Sequence, residues 1–138
     1  MKKILSVLAV GLLLVAFACG GGKYADVKEV MQDSIGMMEN FSDAIEKADS
    51  ADDVAAAIND FSDKMGKIIP KMKELQGKYP ELNDPEKIPE EIKDLMKKMG
   101  TAQAKVEQAN AKIQQYGADP KVQQAGMKLL ETMAKMGK

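Results

Sequence analysis

The sequence predicts an all-α fold: an antiparallel up-down-up-down four-helix bundle with a shorter last helix. Three observations lead there. Four segments repeat apolar residues at helical spacing, and none alternates as a strand does. Start and stop residues punctuate them, with Ser50, Pro89 and Asp119-Pro120 opening helices and Gly117 closing one. The links near 49–51 and 117–119 are very short, which makes the helices they join antiparallel neighbours.

In the first helix Tyr24, Val27, Met31, Met38, Phe41, Ile45 and Ala48 follow a heptad seam, with Ser34 as its polar exception. The second keeps the same spacing through Val54, Ile58, Phe61, Met65, Ile68, Met72, Leu75 and Tyr79. Ser50 caps it, with Asp53 as a weaker capping-box partner. Asp52 and Asp53 stand at its start and Lys71, Lys73 and Lys78 near its end, the order the helix dipole favours. Pro70 interrupts this helix, because it has no N–H for the carbonyl of Gly66. A kink near Pro70 is therefore expected, at about 3 kcal/mol if nothing compensates. It reads either as a bend around the core or as a hinge or crevice wall for a ligand.

The third helix opens at Pro89-Glu90-Glu91 and carries Ile92, Leu95, Met99, Ala102, Val106, Ala109, Ile113 and Tyr116 up to Gly117, a suitable C′ residue. The fourth starts from Asp119-Pro120 and carries Val122, Ala125, Leu129, Met133 and Met136. Between helices two and three lies the longest connection, from 79 to 89, with Pro80, Pro85 and Pro89. Heptads this regular also fit a long parallel coiled coil, but the hairpin links argue against it. Phe41, Phe61, Leu95 and Leu129 are expected in the core.

Composition narrows function. The 138 residues include 20 lysines, 21 carboxylates, no arginine and no histidine. Without arginine, a basic block or an aromatic platform, nucleic-acid binding is not expected. Without histidine, His-ligated haem, the common zinc sites and imidazole-based triads are excluded. The carboxylates lie among lysines on solvated faces, where no acid/base pair stands out. The expectation is a non-enzyme without a cofactor.

The N-terminus gives an address. Met1-Lys2-Lys3 precedes an apolar run from Ile4 to Phe17 broken only by Ser6 and Gly11, a basic n-region and an h-region. The run is shorter than the roughly 20 residues a membrane span needs. It ends in Ala16-Phe17-Ala18-Cys19, which serves as an ordinary secretory cleavage site and also resembles the lipobox of bacterial lipoproteins. That resemblance implies an acylated Cys19 as first mature residue, and Gly20 after it implies sorting to the outer membrane, facing the periplasm or the surface. Ala16 stands where typical lipoboxes carry leucine. Cys19 is the only cysteine, and acylation removes an otherwise unpaired thiol from an oxidising compartment. The expected organisation is a signal peptide over 1–18, a lipid-anchored Gly-rich tether over 19–23 and the helical bundle over 24–138.

A weaker resemblance concerns the bundle. Ala25-Asp26-Val27 through Met31, with Ile45-Glu46-Lys47-Ala48-Asp49-Ser50-Ala51 and Val54, is similar to the first helical hairpin of the periplasmic four-helix b-type cytochromes. Met31 matches that family's axial methionine, whereas its axial histidine on the last helix has no counterpart here. The resemblance implies the bundle and not the haem.

Ten methionines follow the signal. Met96 with Met99, and Met133 with Met136, are spaced to place two thioethers on one helical face, and soft thioethers select Cu(I). The competing reading is packing, since Met31, Met65, Met72, Met99 and Met133 fall on predicted core seams. The expected function is a lipid-anchored, non-catalytic binding or structural module of the cell envelope. Its partners would be the membrane, through acylated Cys19, and an envelope protein or small apolar ligand. The alternatives are a periplasmic Cu(I) carrier built on Met96, Met99, Met133 and Met136, or a Met-lined apolar groove for a lipid or partner helix.

Overall fold

The computed structural model describes residues 22–136. The expected signal peptide, Cys19 and Lys138 lie outside them. Four helices follow one another, α1 (Ala25–Lys47), α2 (Ala51–Lys78), α3 (Glu90–Gln115) and α4 (Pro120–Ala134), with two 3-10 turns, Pro80–Asn83 and Pro85–Lys87, between α2 and α3. There is no strand among the described residues, and none of their helices is long and apolar enough to cross a membrane.

The helices run up, down, up and down. Ion pairs give the register: Lys28 with Glu91 and Lys105 with Glu39 climb together along α1 and α3. Lys121 with Asp52 and Lys128 with Asp63 do the same along α4 and α2. The close helix pairs are therefore α1/α3 and α2/α4, each parallel, joined through the antiparallel pair α1/α2. The link at 116–119 turns the chain between α3 and α4, but these two helices do not pack closely.

Most caps form as the residue types dictate. The Ser50 side chain accepts from the Asp53 N–H at 3.2 Å, while Asp53 Oδ2 accepts from the Asp49 N–H. Asp119 accepts from the Lys121 N–H at 2.8 Å, and Pro120 fills the first position of α4. Gly117 behaves differently from expectation. It does not adopt positive φ, so there is no left-handed cap. Successive tight turns satisfy the chain instead, from Gly117 N to the Gln114 carbonyl and from Asp119 N to the Tyr116 carbonyl. α2 continues through Pro70 without a break, and both Pro70 and Gly66, whose carbonyl loses its donor, lie on the exposed face.

The main core joins Phe41 and Ile45 of α1 to Val54, Ile58 and Phe61 of α2 and to Val122 and Ala125 of α4. Phe41, Phe61 and Leu95 are buried, and Leu129 packs against this core partly buried. Small residues bring α2 and α4 together. A Cβ built on Gly66 would stand 3.8 Å from the Thr132 methyl, and the Ser62 and Thr132 hydroxyls meet at 3.0 Å. Ser34, the polar exception of the first seam, is buried and donates to the Val30 carbonyl at 2.7 Å. That back-bond removes the penalty an unpaired buried hydroxyl carries.

A second apolar cluster sits at the N-terminal end of α1. Val27, Tyr79 and Ile92 form it, with Tyr24, Met31, Leu75, Leu82 and Ile88 around them.

Candidate functional site

That second cluster borders an apolar recess, and the reason for the opening is the length of α4. Met136, just beyond α4, shares a surface recess with Ile69, Met72, Lys73 and Gln76. α4 thus ends beside the middle of the C-terminal half of α2. The last turns of α2 have α1 and α3 as neighbours but no fourth helix. The α2 face that a complete bundle would bury is left open there.

The opening is a cavity of about 160 Å³ walled by Val27, Val30, Met31 and Ser34 of α1, Met72, Leu75 and Gln76 of α2, and Met99 of α3. Tyr79, Leu82 and Asn83 line its end nearest Lys23. No charged side chain lines it. Met72 and Gln76 line both this recess and the smaller one of about 80 Å³ near Met136, so the two adjoin along α2 as a trough with Met72 and Gln76 between them.

Seam periodicity thus overstates the burial of the methionines. Met72 is 40% exposed and Met133 43% exposed, against the core positions expected for them. Met72 is open because the covering helix stops short. Met133 turns outward because Thr132 takes the inward position, where it meets Ser62. Met31, Met65 and Met99 are half-buried, while Met37, which lies off the predicted seam, is buried.

The candidate Cu(I) pairs are divided. Met99 lines the larger cavity and Met136 the smaller, whereas Met96 and Met133 line neither. The thioethers that share one cavity are Met31, Met72 and Met99, from three helices. Sequence spacing within one helix cannot reveal such a grouping. Their grouping emerges only once α1 and α3 are known to run parallel.

The rim facing the tether is polar and tightly tied. The Tyr79 hydroxyl donates to the Lys23 carbonyl at 2.7 Å and to Asp26 at 3.0 Å, and Lys78 pairs with Asp26. Lys23 pairs with Glu81 at 2.7 Å, and the Tyr24 hydroxyl donates to the same carboxylate at 3.1 Å. The Tyr24 and Tyr79 rings lie 5.1 Å apart and tilted. The chain therefore leaves the bundle toward Cys19 from a fixed point on the rim of the trough.

The Lys78 ammonium, with smaller help from the Tyr79 hydroxyl and the Val27 N–H, holds the Asp26 carboxyl below the usual carboxylate range. A carboxyl whose pKa is lower folded than unfolded contributes stability that is present above the unfolded value. That contribution is lost as pH falls through the folded value. Asp26→Asn should accordingly lose stability relative to wild type at pH 6, with the gap closing on acidification below about pH 4. Urea midpoints of both proteins across that range check this, and a gap independent of pH would contradict it.

No protein-family model, curated protein or solved structure matches the chain.

Proposed function

We propose that the protein is a lipid-anchored, non-catalytic binding module of the cell envelope, held through acylated Cys19 and presenting the Met-lined trough to an apolar ligand. The observation that carries this reading is the uncharged cavity of Met31, Met72, Leu75 and Met99 placed at the end of the bundle from which the tether leaves. Residues 19 to 24 reach at most about 18 Å when fully extended. An anchored bundle therefore keeps this trough close to the membrane surface, where apolar molecules are concentrated. Methionine suits the wall, because its unbranched thioether side chain adapts to ligands of different shape. The lipobox-like residues and Gly20 support the outer membrane as the site of anchoring.

Met72→Glu tests the trough. The side chain is already 40% exposed, so the fold should be little affected, with a change within about 0.5 kcal/mol. A carboxylate there would still make burial of an apolar ligand unfavourable. Full-length wild-type protein taken from envelope membranes should retain an apolar molecule, identified by mass spectrometry, that Met72→Glu protein lacks. Equal retention by both would rule the trough out.

The grouping of three thioethers favours a second reading, a Cu(I) carrier. It makes a different prediction. Met31→Leu with Met99→Leu keeps apolar volume and removes two sulfurs, at under about 1.5 kcal/mol per swap. An apolar trough should show no stoichiometric Cu(I) uptake in competition with a Cu(I) chelator, before or after the change. A tight one-to-one site lost in the double variant would make the protein a copper carrier.

A further inference from the structure

The proposed reading leaves the ligand's chemistry open, and the trough itself restricts it. Its larger part, about 160 Å³, is lined by no ionised group. Its smaller part, about 80 Å³, is lined by Ile69, Met72, Gln76 and Met136 and by one charged residue, Lys73. No carboxylate lines either part. Lys73, like six other described lysines, makes no ion pair among the described residues. The trough is thus an apolar slot with a single uncompensated positive charge at one end.

Size decides between candidate occupants. An apolar cavity of about 150 Å³ accepts a benzene-sized group, so the larger part takes half a dozen or so carbons in single file. A helix, about 10 Å across with its side chains, could lie over the opening in the place a longer α4 would take, but could not enter it. Two acyl chains side by side do not fit either. Along α2 the trough extends from Tyr79 to Ile69, ten residues or about 15 Å at 1.5 Å per residue. At about 1.3 Å of advance per C–C bond of a zigzag chain, that is roughly a dozen carbons.

We propose that the trough binds one single-chain anionic amphiphile, a fatty acid of about this length, with its chain end among Met31, Met72 and Met99 and its carboxylate at Lys73. This assignment rests on the trough being the binding element and adds the headgroup charge and the single chain. The lysine supplies selectivity for an anionic head, because placing a like charge beside it is penalised.

The test uses full-length protein in phosphatidylcholine nanodiscs and dodecanoate bearing a diazirine at its chain end. Irradiation should label peptides that carry Met31 or Met99, saturably, and unlabelled dodecanoate should compete. Dodecyltrimethylammonium, with the same chain and the opposite charge, should compete about tenfold more weakly, and Lys73→Glu should reverse that order. Lys64→Glu, at a lysine paired with Asp60 away from the trough, should leave the order unchanged. Saturable labelling of the same peptides with equal competition by both amphiphiles, unaffected by Lys73→Glu, would overturn the fatty-acid assignment and leave the apolar trough standing. Absence of saturable labelling at those peptides would overturn both.

Discussion

Phe61→Ala is expected to destabilise the bundle by about 3–5 kcal/mol, the range for removing a buried phenylalanine. Phe61 is 8% exposed and its ring centroid lies 4.5 Å from that of Phe41, which is 6% exposed. The pair joins α1 to α2 in the main core, and α2 in turn carries α4. Truncation removes ring area from a site where neighbours on two helices are fixed, so the cavity cannot collapse fully. The tilted ring contact adds about 0.5–1.5 kcal/mol that a leucine at either position would forfeit. Set against a total stability of about 5–15 kcal/mol for a domain, the loss leaves the variant marginal. Leu130→Ala provides the contrast. Leu130 is 67% exposed, and its truncation should change stability by no more than about 0.5 kcal/mol. Urea unfolding of the two variants measures the difference. A loss below about 1 kcal/mol for Phe61→Ala would mean that the α1/α2 interface is not the centre of the core.

The helices and most of their ends were legible because they depend on short-range chemistry. Ser50 and Asp119 cap because a side-chain oxygen next to free N–H groups has one good local partner. The Phe41, Ile45, Val54, Ile58 and Phe61 seam could be read because heptad spacing decides which face is apolar. Spacing does not decide what covers that face. Met72 lies on the same seam as Ile68, yet Ile68 is buried and Met72 is 40% exposed, because α4 ends between their levels. Helix length relative to a neighbour is a property of the assembled pair. Thr132 shows a different limit. It lies off the predicted seam of α4 and is buried because the Ser62 hydroxyl, 70 positions earlier, accepts or donates a bond across the helix pair. Pairing of two polar residues at such separation leaves no periodic mark. The trough was accordingly legible as an excess of methionine and not as a place. The combination of Met31, Met72 and Met99 required the parallel register of α1 and α3 and the early end of α4.

Cys19→Ser is expected to abolish stable membrane attachment while leaving the helical body folded. The core residues run from Val27 to Ala125 and Thr132, and position 19 precedes all of them. Each buried CH₂ contributes about 0.8 kcal/mol to membrane affinity, and one acyl chain gives only reversible binding, so firm anchoring needs more than one chain. An acylated Cys19 supplies these through a diacylglycerol thioether and an amide-linked chain, and serine cannot form the thioether. Wild-type protein should therefore remain with the envelope membranes through a high-salt wash, which releases only electrostatically held proteins. Its intact mass should show acyl chains on a chain that begins at Cys19. Cys19→Ser protein should appear either as uncleaved precursor or in the soluble fraction, with unchanged helix content by circular dichroism. The apolar trough gives a further readout: a protein anchored as proposed, by a tether of at most about 18 Å, would sample membrane-borne ligand at high local concentration. Released protein should carry less of that ligand even though every residue of the trough is intact. Wild-type protein recovered free of membranes, with an alkylatable thiol at position 19, would remove the anchor and the reason for placing the trough at the membrane surface.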